Sequence, residues 1–317
     1  MRILLVGPGI MEIPSKGWGA VETVVWQLKI SLEKRGHTVD ILNKRGLKAA
    51  LAAKPRSYDL VHLQYDDLAG FWIILSKIMR FKLAITSHYG YLNHPSRWHR
   101  SYWPVFLEMW FSPRIIVLSE EIKKTFLRFH YRGFIAVLPN GTEISAISFS
   151  DSPSKDLICL GKVEPRKRQT GLSRLFSTQS ELQLDFVGPI VDKNFAVNHQ
   201  STRYLGTWTR EDVEQKLTQY KVLVLLSDGE AHALVIGEAL AAGLSLLISQ
   251  ESAANLDLSL PFIQVASLDD PLLVEKAQVL CAENGKYRQS IRKYAEQFDW
   301  DRIAEKYERI VSAILKK

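Results

Sequence analysis

Cysteine is scarce in this chain: Cys159 and Cys281 are the only two in 317 residues, with no C-x-x-C spacing and no companion histidines. That excludes a disulfide framework and a structural zinc site. Long apolar runs are missing too. The nearly uncharged stretch 68–76 falls far short of the ~20 residues that span a bilayer, so no transmembrane helix is expected. The opening MRILLVG has one basic residue and too few apolar ones before Gly7 and Pro8 for a signal peptide, so a cytoplasmic protein is expected. A dinucleotide fingerprint is lacking as well. Gly7 and Gly9 are not followed by the third glycine, and the strand over 38–42 ends in Asn43 rather than in an acidic residue that would grip an adenosine ribose, which argues against a nicotinamide oxidoreductase. His94 and His99 have no metal-ligand spacing, and Asp299 in Asp299-Trp300-Asp301 reads as a helix cap; no metal is expected.

What is present is the composition of a two-domain globular protein, 46% hydrophobic and 24% charged. Charge is unevenly spread. Residues 1–150 hold 20 Lys and Arg against 11 Asp and Glu, and residues 151–317 hold 21 against 23. A basic first half suits an anionic substrate, an anionic membrane surface or nucleic acid.

Pattern, turn residues and charge converge most clearly at residues 220–249, YKVLVLLSDGEAHALVIGEALAAGLSLLIS. Residues 222–226 are a short, uniformly apolar run, which predicts a buried parallel strand. A polar turn follows, then a helix over 234–242 with small residues on one side, ended by Gly243, and a second buried strand over 246–248. In such a unit the loop after the first strand is the ligand site, and the amides at the helix start, Ala233, Leu234 and Val235, are free to receive an anion. Glu230 and Glu238 bracket that helix start with seven residues between them. A glutamate inside an apolar helix needs a hydrogen-bonding partner, either a structural cation or the paired hydroxyls of a ribose.

Along the chain, strands are predicted over 3–6, 38–42, 58–63, 82–87, 114–118 and 135–138, then over 157–160, 184–188, near 205, and over 263–265. Helices are predicted over 21–35, across FWIILSKIMRFK, after Ser119, over 210–220, and as three closing helices over 271–283, 286–297 and 300–315. The glycines of GPGIMEIPSKGWGAVE let backbone approach a ligand at the first strand-to-helix crossing. His88 follows a strand in TSHYG, and HPSRWHRSYWPVFLEMWF is dense in aromatic and basic residues, an interfacial or acceptor-binding composition as well as a core one. Asn140-Gly141 is a turn signal, and the aperiodic SAISFSDSPSKD reads as a linker. Lys162, Arg166, Lys167 and Arg168 crowd one loop after a strand, where a diphosphate would need them. Gly206 is expected in a loop near a nucleotide base.

These segments resemble, in order, those of the retaining glycosyltransferases of family 4. The paired glutamates followed by ALAAG are similar to that family's E-x(7)-E and A-x-A-x-G; Gly161, Lys162 and Lys167 to its G-R-x-x-x-x-K; TSHYG to its T-x-H-G; PNGTE to its P-N-G-x-D; and P-x-x-G-W-G-A-V-E to its first loop. The resemblance implies a GT-B fold: two Rossmann-like, doubly wound α/β domains facing a central cleft, with residues 1–145 on the acceptor side, 146–299 binding the nucleotide sugar, and the helix of 300–317 packing back on the first domain. It implies transfer of a sugar from a nucleotide-diphosphate sugar, commonly a UDP-sugar, to a hydroxyl of a glycan or lipid-linked acceptor, with no cofactor or metal. It assigns Gly19, Lys162, Lys167 and the amides of Ala233, Leu234 and Val235 to the donor phosphates, Glu238 to the ribose, and Glu230 and His88 to the sugar at the catalytic centre.

The chain departs from the pattern in places. Lys162 replaces an arginine and loses its bidentate fork, His232 and Ala233 stand where F-G is usual, Ser245 replaces a proline, and Glu143 an aspartate. A non-catalytic nucleotide-sugar or glycan-binding protein is the alternative. Retention of both glutamates and both lysines argues against it. A nucleic-acid binder, which would show steep salt dependence, is not expected.

Overall fold

A computed structural model describes residues 1–15, 19–93, 100–179, 181–198 and 200–316. Gly17, Trp18, His94 and His99 lie outside the described residues. The chain divides into two compact units, one of residues 1–141 with 300–317, the other of residues 142–299.

The first unit is built on six parallel strands, β1 (Arg2–Val6), β2 (Thr38–Leu42), β3 (Leu60–Leu63), β4 (Leu83–Ile85), β5 (Arg114–Val117) and β6 (Phe134–Val137), in the order β2-β1-β3-β4-β5-β6. The run Ile3, Leu4, Leu5, Val6 is at most 1% exposed, as expected for a central strand covered on both faces. Crossovers contain α1 (Ala20–Lys34), α2 (Leu47–Ala52), α3 (Ala69–Met79), α4 (Tyr102–Trp110) and α5 (Glu120–Arg128). The last helix of the chain, α10 (Trp300–Lys316), belongs to this unit. Its buried residues Trp300, Ile303, Ala304, Tyr307, Ile310, Val311 and Ile314 form one stripe at helical spacing, and Glu308 beside it pairs with Arg35 at 2.7 Å and His37 at 2.8 Å. Gly141 does not turn the chain as its Asn-Gly sequence suggests. It has no positive φ; instead the Trp300 indole lies so close that an added Cβ would come within 2.4 Å of it.

The second unit repeats the plan with β7 (Lys155–Leu160), β8 (Leu184–Val187), β9 (Thr202–Tyr204), β10 (Tyr220–Leu225), β11 (Ser245–Ile248) and β12 (Ile263–Val265), all parallel, in the order β12-β11-β10-β7-β8-β9. Its helices are α6 (Gln169–Gln179), α7 (Arg210–Lys216), α8 (Leu234–Ala241) and α9 (Leu273–Ala295). Here one expectation is corrected. The two helices predicted on either side of residue 285 are one helix, α9, because Leu273, Ala277, Leu280, Cys281, Asn284, Arg288, Ile291 and Ala295 keep a single buried face through Gly285. A mid-helix glycine weakens a helix by about 1 kcal/mol but does not end it when tertiary packing continues.

Continuity of α9 puts Arg288 in the core. It is 1% exposed, and its guanidinium donates to the carbonyls of Ser150 (2.7 Å), Thr218 (2.8 Å), Ala242 (3.0 Å) and Tyr220 (3.1 Å). Those carbonyls come from the linker, the approach to β10, and the end of α8, so one side chain ties three segments of the unit together.

Candidate active site

In each sheet the chain steps first to one side and then to the other, and the crevice at the carboxyl ends of the strands where the direction changes is the ligand position of doubly wound folds. In the first unit that point lies between β1 and β3, in the second between β7 and β10.

At the first, Gly9 has φ +66, its amide donates to Asn43 Oδ1 at 2.8 Å, and Asn43 Nδ2 donates to the Met11 carbonyl at 2.6 Å. Asn43, noted in the sequence for not being acidic, therefore braces the β1 loop. Gly19 immediately precedes α1, and its carbonyl accepts from the Thr23 amide at 2.9 Å. An added Cβ there would meet Ser15 Oγ at 2.8 Å and Glu22 Oε2 at 2.9 Å, so these two side chains pack against the Gly19 backbone, which is buried, and leave no room for a larger residue. His88 follows β4, and its Nε2 lies 2.8 Å from Gln64 Oε1. Burial holds the His88 imidazole down to about 4, so it is neutral near pH 7. His88, Gln64, His62 and Thr86 line a small recess with Asn140 and Trp300.

At the second point, Gly161 ends β7 with φ +148, and the Lys167 ammonium sits where a Cβ would project, 2.9 Å from that position. Lys167 Nζ is 3.5 Å from Glu230 Oε1, and Arg166 is 3.1 Å from the same oxygen. Burial pushes the Glu230 carboxyl up, but the charges of Lys167 and Arg166 outweigh it and hold the carboxyl below its usual range. Arg166 also donates to Ser227 Oγ at 3.0 Å and to the Gly229 carbonyl, while Arg168 makes two 2.9 Å contacts with Asp228. The cation run thus clamps the loop after β10. Lys162 is exposed and makes no ion pair among the described residues. Gln169, 1% exposed, bonds the Lys162 carbonyl at 2.9 Å and the Glu164 amide at 3.1 Å, pinning the backbone between the two lysines.

Ala233 stands immediately before α8 with φ −68 and ψ 123, and Leu234 and Val235 open the helix, where amides have no intrahelical acceptor. Glu238, one turn on, pairs with Arg210 of α7, whose Nε also reaches Glu214 at 2.7 Å. The fold brings Lys167 and Glu230 together, and Glu230 and Glu238 each have a cation of their own. Burial pushes the thiols of Cys159 and Cys281 up to about 12, so neither is a nucleophile near neutral pH. Sequence reasoning missed Gln64, Gln169 and Arg210. Of these only Arg210 carried a signal, a cation at a helix start with two acidic residues within reach.

Comparison with known proteins agrees with the class. Residues 42–146 match the model of Glycosyltransferase Family 4, a segment that includes His88 and PNGTE. The family reached from the motifs is the one returned, and the transferase class it carries, glycosyltransferase, stands with it. No curated protein matches the chain. Among solved structures, HepE of Anabaena, in complex with UDP and glucose, is 16% identical with a TM-score of 0.75 over 99% of this chain and 100% of its own. Sucrose-phosphate synthase of Thermosynechococcus elongatus is 16% identical with a TM-score of 0.75 over 100% and 99%. The lipopolysaccharide outer core galactosyltransferase WaaB is 16% identical with a TM-score of 0.70 over 99% of both chains. The fold is GT-B.

Proposed function

We propose that this chain transfers a sugar, with retention of configuration, from a UDP-sugar to a hydroxyl of a glycan or lipid-linked acceptor, without a bound metal. The observation that carries the reading is the arrangement at the switch point of the second sheet: Lys167 and Arg166, in the loop after β7, each lie within 3.5 Å of the carboxylate of Glu230, which precedes the α8 N-terminus. Cations and helix amides together suit a diphosphate, both bound and as negative charge grows on it during departure. The complex of HepE with UDP and glucose, a protein of the same fold, supports uridine as the base.

In this reading Lys162, Lys167 and the amides of Ala233, Leu234 and Val235 hold the diphosphate, Glu238 the ribose, and Glu230 the sugar; in the first unit Gly19 is assigned to phosphate and His88 to the sugar. Glu238 exchanges Arg210 for ribose hydroxyls when the donor binds. The attacking hydroxyl approaches the face that the diphosphate leaves, and the leaving phosphate oxygen takes its proton. The reading includes a cytoplasmic protein in peripheral contact with an anionic membrane surface. In its support, Phe71, Ile74 and Ile78 of α3 and Leu107 of α4 are exposed, with Lys77 between them. No helix among the described residues is long and apolar enough to cross a membrane.

The test is thermal unfolding with UDP, GDP, ADP and their sugar conjugates, on wild type and Glu238→Ala. A ligand at 100 times its Kd adds about 2.7 kcal/mol of stability. Stabilisation by UDP that the variant loses is expected. No shift with any nucleotide would overturn the reading.

A further inference from the structure

Arg45 follows β2 at the switch point of the first sheet, and the loops after β1 and β3 meet on its side chain. Its Nε donates to the Pro8 carbonyl at 2.7 Å, and its guanidinium stands over the Tyr65 ring at 5.6 Å from the centroid. The stem packs on Gly9, where an added Cβ would come within 2.8 Å of Arg45 Cγ. One side chain is thus held by three loops and is nevertheless exposed. Holding the loops takes only the Nε–H and one face of the guanidinium. Among the described residues, Nη1 and Nη2 donate to no protein group and Arg45 makes no ion pair. Tyr65 does not neutralise the charge either: burial raises its phenol and Asp67 adds to the effect, so it is un-ionised near pH 7.

With Nε occupied, the side-on edge of the guanidinium is closed. The edge left is the end-on pair, Nη1 and Nη2, whose spacing matches two oxygens of one carboxylate or phosphate. Because the side chain is already fixed, an anion binding there loses little affinity to ordering it. Lys44, the neighbour in sequence, is exposed and adds a second positive charge.

An aromatic surface adjoins this fork. The Tyr89 hydroxyl donates to that of Tyr65 at 3.0 Å, and the two rings lie 6.0 Å apart, so Tyr89 and the guanidinium both neighbour the Tyr65 ring. Tyr89 is 42% exposed and is next in sequence to His88. A tyrosine held by its hydroxyl with its ring in solvent offers an apolar face to the C–H side of a pyranose.

We infer that Arg45 and Tyr89 form an acceptor subsite in the first unit and that the acceptor is anionic: Tyr89 carries a sugar ring, and the end-on fork of Arg45 grips a carboxylate or phosphate attached to it. That the bound sugar is an acceptor rests on the transferase reading; that the subsite takes an anionic sugar does not.

The experiment is saturation-transfer NMR of the full chain titrated with glucose, glucuronate and glucose 1-phosphate, each with and without saturating UDP, on wild type, Arg45→Gln and Tyr89→Ala. Wild type should bind one of the charged sugars about tenfold or more tighter than glucose, the effect of a charge-assisted contact. Preference for glucuronate identifies a carboxylate, as in an acidic glycan; preference for glucose 1-phosphate identifies a phosphate, as in a lipid-linked sugar. Arg45→Gln should bring the charged sugar down to the affinity of glucose and leave UDP affinity unchanged, and Tyr89→Ala should weaken all three sugars. Wild type that binds neither charged sugar better than glucose overturns the inference without recourse to a variant. So does a folded Arg45→Gln protein that keeps the preference, or one that loses UDP affinity as well, which would assign Arg45 to the donor phosphates. A preference for the anionic sugar in a protein that no nucleotide stabilises would sink the transferase reading alone, and stabilisation by UDP without that preference would sink this inference alone.

Discussion

Lys167 stands with its ammonium over Gly161 and 3.5 Å from Glu230, largely shielded from water, whereas Lys162 in the same loop is exposed. A charge-assisted contact is worth more where solvent screens it less, so the two lysines are unequal. Lys167→Ala should weaken UDP binding by roughly 1.5–3 kcal/mol, about ten- to a hundredfold in Kd, and Lys162→Ala by less. Titration calorimetry of both variants reads the difference. Equal affinity of wild type and Lys167→Ala for UDP would end the assignment of Lys167 to phosphate.

At the scale of elements, α9 tests how far a local signal reaches. Gly285 looks like a helix stop in the sequence, yet it lies mid-helix with nothing within 4 Å of where a Cβ would project. Gly285→Ala should raise stability by about 0.5–1 kcal/mol, because alanine loses less backbone freedom on folding and meets no neighbour. Destabilisation on urea unfolding would mean that α9 breaks at that point. The opposite case lies one turn along: Arg288→Met removes five donors from a core where four carbonyls depend on them, and should cost about 3 kcal/mol or more.

For the molecule as a whole, proton uptake on unfolding sets the acid limit. His62, His88 and His232 are held by burial at about 3, 4 and 4, below the ordinary 6.5, so unfolding binds protons as pH falls below 6.5 and stability declines. Asp66 acts in the opposite sense: burial raises its carboxyl to about 6, and the folded state then takes up one proton. Three histidines against one aspartate leave a net uptake of about two protons between pH 6 and 5, a loss of at most ~2.7 kcal/mol per pH unit. Urea unfolding at pH 7, 6 and 5 measures it; a flat or rising stability would show that these imidazoles are protonated in the folded state.

The strands of both units and the composition of the phosphate loops were legible in the sequence, because buried parallel strands must be uniformly apolar and tight strand-to-helix turns need glycine. The residues 38–42 and 263–265 were bounded there as the structure has them, and α8 within a residue. Partners were not legible. That Glu238 faces Arg210, that Asn43 braces the β1 loop, and that Trp300 rather than a turn demands Gly141 all depend on residues distant in the chain meeting in space. Local chemistry determined the elements and the ligand loops; only tertiary packing decided which polar atoms are satisfied, because each such bond joins groups distant in the chain.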